Sequence, residues 1–389
     1  MSKFMLKELV DIYLGVTHTP EYTSEGVPFL SVKDISGGTI DFTDCKYISQ
    51  KEYESLSEGA KPKVGDMLFC RVGTLGKPII IPEGTPLFGS FVSLGYLRNK
   101  NAFICNMNYL KYWMNSNSFW VQVKANVKGA SQINLNTGWL SKFSLELPQM
   151  SEQQYRIDLL DRISNIISTR QQELQKLNDL IKARFVELFG SIYDNKFGFE
   201  IMTIQDVCEP IKDGTHQTPT YTEDTENGFK FLSSKDVTSR KVDWNHLKYI
   251  PKDLHDELYK RIAPRRGDIL LAKNGTTGIG AIVDRDEVFD IYVSLALLRP
   301  TEAVISEYLC AAVNAQETKK QFDESLKGIG VPNLHLGEIK KTKIIVPPME
   351  LQEQFATFVK QVDKSKVAAQ KALDEAQLLF DSLMQKYFG

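Results

Sequence analysis

The chain is written twice, and nothing else in it constrains the fold so strongly. Thr17-His18-Thr19-Pro20 returns as Thr215-His216-Gln217-Thr218-Pro219, and FLSVKDIS (29–36) returns as FLSSKDVT (231–238). Lys46-Tyr47-Ile48 returns as Lys248-Tyr249-Ile250, and Gly65-Asp66 as Gly267-Asp268. GTLG (73–76) returns as GTTG (275–278), and Val92-Ser93-Leu94 as Val293-Ser294-Leu295. Each copy closes on a proline corner, LPQM (147–150) and VPPM (346–349), and a long polar segment follows. Self-similarity at a spacing of about 200 residues fixes the architecture before any local reading does. Two similar units in one chain suit a partner that is itself nearly two-fold symmetric, such as a DNA duplex.

With 389 residues, there is material for two or three domains. No apolar run approaches membrane-spanning length. The N-terminus, MSKFMLKELV, lacks the apolar stretch of a signal peptide, so the expected location is cytoplasmic. Cys45, Cys70, Cys105, Cys208 and Cys310 are dispersed, with no CxxC spacing, and read as buried thiols in a reducing compartment. A net charge of −2 argues against a free-standing, non-specific nucleic-acid binder, but leaves room for local basic faces.

Short β-branched and aromatic runs (PFLSV, DMLFCR, KPIIIP, SFVSLGYL, SKFSLELP) alternate with turn signals and predict a mostly β module over residues 1–150. One helix is expected at 107–123, with its counterpart at 305–322. Residues 191–348 repeat the plan, with strands near 229–232, 268–272 and 343–346. Between the modules, 151–189 contains neither proline nor glycine, and its apolar residues keep close to a 3-4 spacing. The same holds for 350–388. Pro148 and Pro347-Pro348 stand before these segments, and Gly190 and Gly389 after them, as helix boundaries require. Each helix would expose an apolar stripe. It could pack on its own β module, or the two helices could pair antiparallel.

Both modules therefore carry, in one order, a T/H-x-T-P loop, a K-D-I/V turn, a G-T-x-G loop and an Asn-Leu element (134–135, 333–334). The exit is of the type L-P-P-L-x-E-Q. This order, present twice over essentially the whole chain, resembles the specificity (S) subunits of type I restriction-modification systems. The resemblance implies an α+β, pseudo-two-fold symmetric fold. Two mostly β target-recognition domains (1–150 and 191–348) would be separated by two long antiparallel helices forming a coiled coil (151–190 and 349–389). It implies a non-catalytic subunit that reads a bipartite target in double-stranded DNA. Two methyltransferase subunits would dock on it and restriction subunits could join, with no membrane involved. No cofactor is expected in this chain; S-adenosylmethionine would sit on the methyltransferase partner. Helices of roughly 55 Å would act as a ruler, leaving an unread spacer of roughly 5–9 base pairs at ~3.4 Å each. The alternatives are a DNA-modifying enzyme with fused specificity domains, or a coiled-coil protein scaffold.

Catalytic chemistry is sought and mostly not found. There is no glycine-rich cofactor loop and no N/D-P-P-Y/F motif; VPPM has the prolines without the flanking amide and aromatic and reads as a strand-to-helix corner. RVGTLGKP lacks Walker spacing, so its loop is either a tight turn or a DNA-facing loop. Glu338-Ile339-Lys340 is a bare E-x-K that reads as a charged edge strand. His18 and His216 read as equivalent, either as structural histidines or as DNA contacts.

The candidate DNA-binding residues lie in four loop sets. Thr17, His18, Thr215 and His216 belong to the first loop, and Lys33 and Lys235 to the K-D turn. Arg71, Thr74, Lys77, Lys273, Asn274 and Thr276 surround G-T-x-G. Lys128, Gln132, Lys327 and His335 precede or follow the Asn-Leu element, with Asn134 and Asn333 matched between the copies. Amides suit adenine, and lysines suit phosphate. Pairs that differ at matching positions, such as Arg71 against Lys273, Val72 against Asn274 and Lys77 against Ile279, are the better specificity candidates.

Overall fold

Met67–Cys70 (MLFC) is apolar at every position, the pattern of a strand covered on both faces. In the computed structural model it lies at the centre of an antiparallel sheet. The spatial order is Val10–Leu14, Leu94–Asn99, Met67–Cys70, Gly76–Ile80. A second sheet carries Tyr22–Thr23, Lys46–Ile48, Val27–Leu30 and Gly89–Ser90, the last pair parallel. Ser2–Met5 pairs with Ser144–Leu147. The second copy rebuilds this topology around Ile269–Ala272, flanked by Leu295–Pro300 and Gly280–Ile282, with Cys208–Asp213 at the edge. Its second sheet is Lys248–Ile250, Phe229–Leu232, Phe289–Ile291, and Glu200–Thr203 pairs with Lys343–Val346. The structure describes residues 2–73, 75–126, 134–326 and 332–389.

Two compact units result, Met1–Gln171 with Lys371–Gly389, and Gln172–Gln370. Each contains one β module, the start of one long helix and the end of the other. The helices are Met150–Phe189 and Met349–Phe388, each of 40 residues. Gly190 and Gly389 follow them at φ +72° and +88°, left-handed positions that suit a glycine stop. In the first unit Arg156 meets Tyr387, while Tyr112, bonded to Asp161, meets Phe380. Numbers rise on one helix as they fall on the other, so the local pairing is antiparallel. In the second unit Arg184 meets Phe358 while Phe189 meets Phe355, with the same sense.

The two packing alternatives for the apolar stripes turn out to hold together. Phe388 packs against Tyr109 of the first module, and Phe185 and Phe189 close on Tyr308 of the second, with Phe355 packed on both phenylalanines. Ile157, Leu160 and Ile163 are buried in the first unit, and Phe355 and Val362 in the second.

Two expectations need correction. The helix expected at 107–123 is two helices, Met107–Met114 and Asn117–Asn126. The Ser116 hydroxyl donates to the Trp113 carbonyl and accepts from Phe119 N–H, which turns the chain between them. Its counterpart likewise splits into Ser306–Val313 and Gln316–Ser325. The run SFVSLGYL is not one strand: Leu94 N–H bonds back to Phe91 O, so Val92-Ser93 is a turn between two strands.

The repeated turns hold one hidden frame in both modules. Asp66 accepts a two-pronged pair from Arg98 at 2.9 and 2.7 Å, and Asp268 the same from Arg299 at 2.8 and 2.7 Å. Gln153 and Gln352, both fully buried, clamp each proline corner to the loop before the Met107 and Ser306 helices. A buried amide with its bonds satisfied fixes an angle that apolar packing alone leaves soft.

Candidate nucleic-acid interface

The first loop leaves the edge strand at a glycine in both modules. A Cβ on Gly15 would lie 2.2 Å from the Ser90 carbonyl oxygen, and one on Gly214 1.9 Å from that of Ile291. Only glycine permits this approach. The loop is held there by Val16 N–H to Ser90 O and Thr215 N–H to Ile291 O. Strand register sets Leu14 opposite Gly95 and Asp213 opposite Ala296, so Leu14 corresponds to Asp213. Counting forward, Thr17 corresponds to His216, and His18 to Gln217. The two histidines are therefore not equivalent, contrary to the sequence expectation. The repeated Thr-His dipeptide had masked a one-residue offset.

Thr17 and His18 are exposed, and His18 lies 3.9 Å from Glu52. Thr215 is buried, its hydroxyl accepting from Gln217 N–H. His216 is exposed, and its Nε2 meets Asp213 at 3.1 Å. In the K-D turns, Asp34 and Asp236 are buried and accept from the backbone and hydroxyl of Ser31 and Ser233. Lys33 and Lys235 are exposed, and the Lys33 ammonium donates to the Asp44 carbonyl at 2.7 Å.

The G-T-x-G loops join antiparallel strands. Gly73, Gly76, Gly275 and Gly278 all have φ between +69° and +79°. A strand follows each loop where a phosphate-binding loop needs a helix, which removes the nucleotide reading. Lys77 is exposed at φ +50°, and Thr276 is exposed. Asn274 is half-buried and bridges Asn333; its Oδ1 has no partner among the described residues. Asn134 is exposed, and His335 is exposed at the start of the helix Leu336–Lys341. That helix carries Glu338 and Lys340, so the E-x-K expected on an edge strand is helical. Thr74, Lys128, Gln132 and Lys327 lie outside the described residues.

Arg71 and Lys273, offered by the sequence as base readers, are both buried. Arg71 donates to the carbonyls of Leu135 (3.1 Å) and Val92 (2.6 Å), and burial pulls its pKa down. Lys273 donates to Asp213 at 2.8 Å. Burial pushes the Asp213 carboxyl up, but Lys273 and His216 outweigh it and hold it below the usual carboxylate range. Both cations root the loops from within. Their main chains do so identically: Arg71 N–H to Ser93 O and Leu135 N–H to Arg71 O are matched by Lys273 to Ser294 and Leu334 to Lys273.

One exposed pair escaped the sequence reading. Lys46 caps the Tyr22 ring at 3.9 Å, and Lys248 caps Tyr221 at 4.0 Å. An exposed ring with a cation at its face suits a polyanion with planar bases. The signal was present, since Tyr22 and Tyr221 stand two residues after the matched prolines, and each K-Y-I run supplies the lysine.

Among the described residues no cluster of His, Cys, Asp or Glu could hold a metal, and no helix is long and apolar enough to cross a membrane. Burial pushes the Cys105, Cys208 and Cys310 thiols up to about 12, which leaves them inert.

The family model described as the type I restriction modification DNA specificity domain matches residues 1–179 and again 197–376. The chain is 24% identical over 259 residues to the Type I restriction enzyme MjaVIII specificity subunit of Methanocaldococcus jannaschii, covering 62% of this chain and 60% of that protein. It is 24% identical to the putative MjaX specificity subunit of the same organism, over 92% of this chain and 85% of that one. The crystal structure of a type I restriction-modification S subunit from M. genitalium superposes with a TM-score of 0.58 at 14% identity. That match covers all of this chain and 96% of the other, a likeness of fold.

Proposed function

The chain belongs to the type I restriction modification DNA specificity family, and from that premise we propose that it is the DNA-reading, non-catalytic subunit of a restriction-modification complex. The observation that carries the reading is one buried frame built twice, with different side chains at the loop mouths. A shared frame with divergent loops is what two readers of different half-targets require. The exposed Lys33, Lys235, Tyr22–Lys46 and Tyr221–Lys248 supply phosphate-facing cations in both modules, despite the net charge of −2.

The partners in this reading are double-stranded DNA and two methyltransferase subunits, one for each copy of the repeat, with restriction subunits as a further class. Exposed apolar residues on the long helices offer the protein-facing surface: Tyr155 and Leu378 in the first unit, Leu180 and Val367 in the second. S-adenosylmethionine belongs to the methyltransferase, and the site of action is the cytoplasm.

The test is transfer of a labelled methyl group from S-adenosylmethionine to DNA. The purified chain alone is expected to transfer none, even in single turnover. Adding the methyltransferase subunit restores transfer at a two-part target. Methylation by the chain alone overturns the reading.

A further inference from the structure

Asp213 carries more than one duty. Its carboxylate neutralises the buried Lys273 ammonium at 2.8 Å, a charge that could not stay buried alone. The same carboxylate meets His216 Nε2 at 3.1 Å and Arg261 Nη2 at 3.1 Å. Arg261 also donates to the Asp213 and Gly214 carbonyls at 2.8 and 3.3 Å. The His216 and Arg261 side chains are 67% and 46% exposed, so one carboxylate holds two surface donors in a fixed relation at the root of the first loop. With Nε2–H given to Asp213, His216 presents Nδ1 outward. Arg261 Nη2 is spent on its Asp213 and Gly214 acceptors, and among the described residues the Arg261 Nη1 and Nε have no hydrogen-bond partner, which leaves single donors for acceptors on base edges.

The first module has none of this. Leu14 stands where Asp213 stands, and Thr17 where His216 stands. Gly59 replaces Arg261: a Cβ there would approach the Leu14 carbonyl oxygen at 3.8 Å, the carbonyl that corresponds to Arg261's acceptor. The buried cation changes in concert, with Arg71 satisfied by the Leu135 and Val92 carbonyls and needing no carboxylate. Four matched positions thus switch together, two inside and two on the surface.

We infer that Asp213 is a positioning residue that presents His216 and Arg261 as a paired polar group, an acceptor at His216 Nδ1 beside the free donors of Arg261, and that this group sets base discrimination in the second half of the target only. The inference rests on the DNA-reading function proposed above.

The test uses the full complex with methyltransferase subunits, after methylated-base mapping has named the target. Duplexes with single-base changes in one half or the other measure discrimination at each half. The double substitution Asp213→Leu with Lys273→Arg installs the first module's arrangement without leaving an unpaired buried charge. Discrimination at one half is expected to fall about tenfold, the scale of about 1.4 kcal/mol, while the other half is unchanged. Lys273→Arg alone retains Asp213 and is expected to keep discrimination. Should the double variant fail to fold, Arg261→Met with His216→Leu removes both surface polar groups and leaves the buried pair intact, with the same loss expected. Intact discrimination in a folded variant of either design overturns the inference, as does an equal loss in both halves. Failure of the underlying function is distinct: the unsubstituted complex would then discriminate at neither half.

Discussion

Arg98 and Arg299 show what a repeated residue is for. Each guanidinium is about three-quarters buried and faces a carboxylate that is almost wholly buried, Asp66 or Asp268, in the same two-pronged geometry. The hydrogen bonds that each arginine donates to its aspartate are the main cause that pushes its pKa up. Replacing Asp66 or Asp268 by Asn removes the charge but not the volume, and strands a guanidinium. The expected loss is on the order of 3 kcal/mol, near the low end for breaking a buried pair, and similar in the two modules. Urea unfolding of each variant measures it; a loss below ~0.5 kcal/mol would reduce the pair to a surface contact. The Gly-Asp repeat was legible as a turn, but not as half of an ion pair, because its arginine lies 32 or 31 positions away. Arg71 misled for the same reason. It differs from Lys273 and looked like a reader, yet the Leu135 carbonyl that satisfies it is 64 positions distant. Sequence shows that two residues differ, not whether the difference faces water.

At the scale of elements, legibility followed length. Forty residues without proline or glycine declare a helix, and both long helices begin and end within a residue of the expected bounds. The shorter helices broke where a polar residue competes for backbone bonds. Ser116 does so in the first module, and in the second Asn314 donates to the Gly280 and Cys310 carbonyls. Periodicity cannot register such local competition. The long helices also serve two surfaces, which one heptad pattern could not reveal. Phe355 is fully buried between Phe185 and Phe189, whereas Leu378 is 73% exposed. Phe355→Ala is expected to cost about 3–5 kcal/mol as a core cavity. Leu378→Ala should shift stability by less than ~0.5 kcal/mol and instead weaken co-elution with the methyltransferase subunit. Chemical unfolding and size-exclusion chromatography separate the two effects. A stability loss at Leu378 matching that at Phe355 would place it in the fold's own core.

At the scale of the whole molecule, duplication predicts exchangeability. The second unit has its own sheets and its own buried frame, so replacing residues 191–348 with the matching module of a relative should alter one half of the DNA target and leave the other. The structure adds a condition that the repeat alone did not supply. Phe185 and Phe189 lie outside the exchanged segment but close on Tyr308 within it, with Phe355 packed behind them, and the Tyr308 hydroxyl donates to the Ile345 carbonyl. A donor module with an aromatic residue at the Tyr308 position should fold on these helices. One with a small residue there should lose stability on the scale of a core cavity, about 3–5 kcal/mol, unless Phe185 and Phe189 travel with it. Gln352 imposes a similar demand, because it clamps the Pro347 carbonyl to the Ala303 and Ile305 backbone across the same boundary. Methylated-base mapping in cells carrying each chimera reads the outcome, with a thermal melt of the purified chain as the control for folding. A folded chimera whose target changes in both halves would show that the modules do not read independently. One exchanged half beside one retained half is what two separate readers built on one repeated frame must give.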